Sequence, residues 1–265
     1  MRDDLLTIGV SLKMYLGHAE TLQWATDVAV ALRESEAVRT GRVTFFAAPS
    51  FVCIKGLSTA FLGTGGEVGA QDLSAADSGA FTGEVSGREL KEVGVTFAEV
   101  GHAERRRLFG ETDEIVAAKV AAALRNGLTP VLCVGESWTH RDDATTFCLD
   151  QIESALHEAP EGRLVVAYEP VWAIGKAEPA PADHIRHVCE ALKTRFRNMP
   201  GREGSHVIYG GSARPGMLRE LGGSVDGLFL GRFAHDPNAV RSILQEASSL
   251  IAEPDYTARR KVRNP

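Results

Sequence analysis

Three side chains and two glycine-rich stretches carry the residue types for acid–base chemistry on an anionic, oxygen-rich substrate. Lys13 follows a short apolar run and offers a fixed cation. His102 stands between Gly101 and Ala103, with Glu104 two positions on. Glu169 directly precedes Pro170, whose ring biases it toward extended backbone. Tyr209-Gly210-Gly211-Ser212 and Leu230-Gly231-Arg232 offer bare backbone N–H groups near helix starts, the chemistry of a phosphate cradle. Taken singly, each has a commoner explanation. A lone loop lysine or glutamate is usually solvated, and a lone histidine at a strand end is usually structural. His102 and Glu104 also match the H-x-E of zinc deaminases, but no P-C-x-x-C follows, so neither metal nor cofactor is expected. On one rim, the set suggests proton abstraction next to a carbonyl. The carboxylate takes the proton, and the imidazole and ammonium stabilise the developing enediolate oxygen. The cradle holds a phosphate and lends binding energy.

These residues share a rim only if the chain brings strand ends together. Short apolar, β-rich runs recur at 5–10, 43–48, 67–70, 97–100, 130–134, 164–167, 206–209 and 227–230. Helical periodicity fills the gaps. Residues 18–35 put Leu22, Ala25, Val28, Ala29 and Leu32 on one face. Residues 112–125 open with a Thr-Asp-Glu cap and repeat Ile115, Val116, Lys119, Val120 and Ala123. Residues 183–197 and 237–252 have the same character. Such alternation implies parallel strands with right-handed crossovers. Eight strands in 265 residues predict a single-domain (β/α)8 barrel over 1–252, of class α/β, with a polar, basic tail at 253–265. In that architecture function sits at the C-terminal strand ends, where all the residues above fall, and the last two strands form the usual phosphate site. A doubly wound sheet is disfavoured: the nearest glycine-rich turn, at 63–68, lacks the last glycine of G-x-G-x-x-G and precedes a strand.

Composition narrows the class. Hydrophobic residues make up 44% and charged residues 24%, which excludes a disordered, collagenous or coiled-coil chain. No apolar run reaches the 18 or so residues of a membrane span, and the start is too short and acidic for a signal peptide. A net charge of −6 argues against nucleic acid as a partner. Cys53, Cys133, Cys148 and Cys189 show no C-x-x-C spacing and read as reduced thiols of a cytoplasmic enzyme.

From about Ile8 to Leu250 the sequence resembles the triosephosphate isomerase family. The most specific stretches are 99–106 with 109–113, then 167–175, then 209–212, and 77–86 adds a fourth. The resemblance implies Glu169 as base, His102 as electrophile, Lys13 as the cation near carbonyl and phosphate, and Glu104 as the carboxylate steadying Lys13. It implies that 170–175 is a lid over the substrate, and that Gly175, Ser212 and Gly231 donate backbone N–H groups to a phosphate. It also implies a homodimer in which the arm around Thr82 enters the partner's pocket.

The sequence departs from the family pattern around the substrate. The family's Asn two positions before the lysine is Ser11, and the Ser after the histidine is Ala103. The lid's second half, usually Thr-Gly-Lys, reads Lys176-Ala177-Glu178, and the Gly-Gly pair after strand eight is Gly231-Arg232. Arg232 is read either as a cation for the phosphate or as a surface salt bridge. This pattern, and 228–236 in particular, resembles the erythrulose-phosphate isomerase branch. The expected substrate is a small phosphorylated ketose, with L-erythrulose 1-phosphate favoured over dihydroxyacetone phosphate. A non-catalytic phosphosugar-binding paralogue would have lost Lys13, His102 or Glu169, and none is lost. A Schiff-base aldolase would need a lysine inside a barrel strand, and strand six carries Glu169 instead.

Overall fold

The computed structural model describes residues 5–176 and 178–253. Eight parallel strands close into a barrel in chain order: β1 (Leu6–Ser11), β2 (Val43–Ala48), β3 (Glu67–Ala70), β4 (Val95–Val100), β5 (Thr129–Val134), β6 (Val165–Tyr168), β7 (His206–Tyr209) and β8 (Gly227–Leu230). The fold is the expected single-domain (β/α)8 barrel, with strand boundaries within two residues of those read from sequence. β4 starts at Val95, two residues earlier than predicted, because Val95 pairs with Val68 ahead of a register shift.

Alternation along the strands builds two apolar layers. Phe45 points outward to the helices, while Phe46, Phe97, Ile208 and Phe229 fill the barrel. Phe46 and Phe97 stack at 4.2 Å between centroids, and Phe229 lies 6.0 Å from Phe46. That filling requires glycine opposite it. A Cβ on Gly9 would lie 2.4 Å from Phe46 and 2.8 Å from Phe229.

The helices follow their predicted faces with three exceptions. In His18–Glu34, Trp24 joins Ala25, Val28, Ala29 and Leu32 in the core, and Leu22 is half-buried. In Asp113–Arg125, capped by the Thr112 hydroxyl as expected, Val116, Val120 and Ala123 are buried but Ile115 is 40% exposed. Lys119 is buried there as an ion, with its ammonium 2.6 Å from Asp72 and 2.5 Å from Glu111. Arg105 adds bonds to the same two carboxylates. A buried charge persists only when paired, so this network locks the short helix Ala103–Phe109 to the barrel. Helices Ala182–Arg197 and Pro237–Ala252 match the sequence reading to within a residue. Among the described residues no helix is long and apolar enough to cross a membrane. Apart from Glu253, the predicted tail lies outside the described residues.

Candidate active site

Lys13 follows β1, His102 follows β4, Glu169 follows β6, Ser212 follows β7, and Gly231 and Arg232 follow β8. With Ser11, Glu104 and Gly175 they line one cavity of about 350 Å³ at the C-terminal mouth of the barrel. Every sequence-predicted site residue is therefore in one place except Thr82, which lies in the fully exposed segment 78–84. Backbone conformation marks the same spot. Lys13 has φ 51° and Ser212 φ 62°, the left-handed region that costs a side-chain-bearing residue about 1–3 kcal/mol. The fold holds both there to aim them inward.

The Lys13 ammonium sits 2.8 Å from Glu104 Oε1 and 3.3 Å from His102 Nε2. Burial alone would lower the Lys13 pKa, but the charges of Glu169 and Glu104 outweigh it and hold the ammonium above its ordinary value. Burial likewise works against the Glu104 charge, and the bond from Lys13 keeps that carboxyl below its usual range. The two shifts agree on a standing ion pair. His102 caps the helix Ala103–Phe109 with its side chain, because Glu104 N–H donates to Nδ1 at 3.1 Å. That bond engages Nδ1 and leaves Nε2 facing the cavity, between Lys13 and Glu169.

Glu169 Oε2 lies 3.4 Å from that Nε2 and is buried with no hydrogen-bond partner. An unpartnered, desolvated carboxylate oxygen on the cavity wall is placed to act as a general base. Its place depends on Gly210, since a Cβ there would lie 2.6 Å from the Glu169 side chain. The arrangement can take a proton from a carbon acid at Glu169 while His102 and Lys13 hold the oxygen that becomes anionic.

Two carboxylates escaped the sequence reading. Glu99, on β4, is 4% exposed and bonds the Ser11 hydroxyl. Burial and the nearby Glu169 charge push its carboxyl up to about 7, against the pull of His102, Ser11 and Lys13. Its position within the 99–106 stretch was the available signal. The folded chain thus holds the Glu99 proton more tightly than the unfolded chain, where the group ionises near its ordinary 4.5. Stability attributable to Glu99 is intact below pH 4.5, is lost as pH rises to 7, and is fully absent above. Glu99→Gln should then leave stability unchanged near pH 4.5 and raise it by about 3 kcal/mol at pH 8. Thermal unfolding at both pH values checks this, and a variant no more stable than the parent at pH 8 would contradict it.

The second carboxylate, Glu136, anchors the segment read as a lid. It is fully buried and accepts from Trp172 Nε1 at 2.7 Å and from the Tyr168 hydroxyl at 3.2 Å, with His184 Nε2 at 3.2 Å. Farther along, the Ser212 hydroxyl donates to the carbonyls of Ala173 and Lys176, both at 3.0 Å. Arg232 Nη2 donates to the Gly175 carbonyl at 2.7 Å. Ala180 N–H donates to the Tyr209 hydroxyl at 3.1 Å. Segment 170–176 is therefore laid over the cavity and held from β5, β7 and β8 at once. Among the described residues Arg232 pairs with no carboxylate and instead bonds segment 170–176, whereas the sequence left a surface salt bridge open.

Comparison with known proteins accords with this geometry. The family described as triosephosphate isomerase matches residues 6–247. An L-erythrulose-1-phosphate isomerase of Pectobacterium atrosepticum is 49% identical over 253 residues, covering 94% of this chain and 98% of that protein. A protein of the same name from Rhizobium etli is 39% identical, covering 95% and 96%. A triosephosphate isomerase of Magnetococcus marinus is also 39% identical, covering 84% and 92%. With a lysine, a histidine and a glutamate facing one another on the rim of an eight-stranded barrel, and a match across nearly its whole length, the chain belongs to the triosephosphate isomerase family and is a sugar-phosphate isomerase.

Proposed function

We propose that the enzyme interconverts L-erythrulose 1-phosphate and D-erythrulose 4-phosphate through an enediolate. Glu169 removes the proton from C3, and the electron pair forms the C2–C3 double bond. The oxygen on C2 takes up the charge, held by the His102 Nε2–H and by Lys13. The hydroxyl proton of O3 moves to O2, a proton returns to C2, and the carbonyl re-forms at C3. No electron leaves the substrate, so the step calls for no redox cofactor. Glu104 steadies Lys13, and the backbone N–H groups of Gly175, Ser212 and Gly231 hold the phosphate. The chain works as a homodimer, with the arm around Thr82 reaching the partner's pocket.

The observation that carries the four-carbon reading is Ser11. It is 4% exposed, lines the cavity two residues before Lys13, and its hydroxyl bonds Glu99. A serine at this wall leaves room for the CH₂OH group that L-erythrulose 1-phosphate carries beyond dihydroxyacetone phosphate, and gives that group a hydroxyl to bond. Two relatives with the erythrulose name support the same reading. Filling the space should reverse the preference. Ser11→Asn is expected to shift the ratio of kcat/KM for the four- and three-carbon ketose phosphates toward the smaller by about 10–200-fold. An unchanged ratio would remove Ser11 from substrate choice. The reaction class is tested by incubation in D₂O, where deuterium should enter C3 of unreacted L-erythrulose 1-phosphate. Absence of wash-in and of product would mark a binding protein without a working base.

A further inference from the structure

Arg232 ties the end of the barrel to the lid. It lies in the turn Arg232–His235 after β8, yet its Nη2 donates to the Gly175 carbonyl, and both residues line the cavity. Elsewhere in the middle of the lid, the carbonyls of Ala173 and Lys176 accept from Ser212. Gly175 sits at φ 71°, so the carbonyl held by Arg232 belongs to a residue whose backbone can rotate through regions closed to other side chains. The hydrogen bond selects one of those conformations. With the carbonyl engaged, the Gly175 amide is the group left to offer a ligand. The guanidinium is exposed, and no carboxylate among the described residues pairs with it.

We propose that Arg232 is a positioning residue that couples phosphate binding to closure of the lid. One N–H of its planar fork holds the Gly175 carbonyl, and the remaining N–H groups meet a phosphate oxygen, so phosphate and lid brace each other through one side chain. A guanidinium can serve two acceptors in fixed directions, whereas a lysine ammonium supplies the charge without the fork. The inference rests on the reading that the substrate's phosphate lies against Gly175, Ser212 and Gly231.

Inorganic phosphate is the probe, and the readouts are its dissociation constant and hydrogen–deuterium exchange of the peptide spanning the lid. In the parent protein, saturating phosphate should slow lid exchange by about tenfold or more, the scale of one charge-assisted hydrogen bond. Arg232→Met should bind phosphate about tenfold more weakly and show no phosphate-dependent slowing even at saturation. Arg232→Lys should recover most of the affinity and little of the slowing, which separates the fork from the charge. The coupling is overturned if the lid of Arg232→Met, or of Arg232→Lys should the first variant not fold, is slowed by phosphate as much as in the parent. Turnover enters none of these readouts. A protein that isomerises no ketose phosphate would defeat the functional reading and leave the lid result standing, while equal slowing in parent and variants would defeat the coupling alone.

Discussion

Glu169→Gln is expected to lower kcat by at least about 10³-fold. General-base transfer contributes roughly 10²–10⁴, and the amide also loses the charge that faces His102 and Lys13. The side chain keeps its shape, so the Gly210 clearance is unaffected. Cys133 bonds the Glu169 carboxylate, and the amide oxygen of glutamine can still accept that bond, so the fold should survive the substitution. It also removes a negative charge that raises the affinity of Glu99 for its proton. Burial remains the larger cause of that upward shift, so Glu99 should titrate lower in the variant but still above its ordinary 4.5. The decisive comparison is deuterium wash-in at C3 against thermal stability. A folded variant with parental wash-in would take Glu169 out of the mechanism.

Deleting residues 78–83 is expected to abolish assembly and to reduce kcat/KM by about 10²-fold or more, the scale of a misplacement of roughly 1 Å at the reacting atoms. The segment 78–84 is exposed throughout, and Phe81 within it is 54% exposed. Its base is built independently of its tip. Ser74 N–H bonds the Val85 carbonyl, and Asp77 is held by Arg125 and Asn126. Removing the tip should therefore spare the barrel. Other exposed apolar side chains crowd the chemistry: Met14 and Tyr15 beside Lys13, and Leu108 and Phe109 at the end of the helix that carries Glu104. In the proposed homodimer, a second copy offering its own arm would cover these exposed apolar side chains. Sedimentation should show the parent as a dimer and the deletion as a folded monomer with little activity. A parental monomer with full activity would refute the arm's role.

The sequence carried the barrel and the reacting trio for local reasons. The strands are short apolar runs whose period and spacing need no knowledge of their neighbours. Lys13, His102 and Glu169 sit at the ends of such runs, where side chains must enter the mouth. The short helices at Ile54–Ala60, Gly87–Glu92 and Met217–Leu221 were not legible, because five to seven residues hold too little of a 3.6-residue period. Lys119 read as part of an apolar face because its partners, Asp72 and Glu111, belong to other segments. Glu136 and Trp172 are 36 positions apart, and Arg232 and Gly175 are 57 apart. Pattern along the chain reveals the type of such a residue, whereas its role is set by what the fold places opposite it.

The most direct test is to measure kcat/KM of the unaltered enzyme on L-erythrulose 1-phosphate and on dihydroxyacetone phosphate under one set of conditions. The expected result is a value at least about tenfold higher for the four-carbon substrate, the lower end of what one carbon in a fitted pocket contributes. Efficient turnover of dihydroxyacetone phosphate, with none of L-erythrulose 1-phosphate, would contradict it.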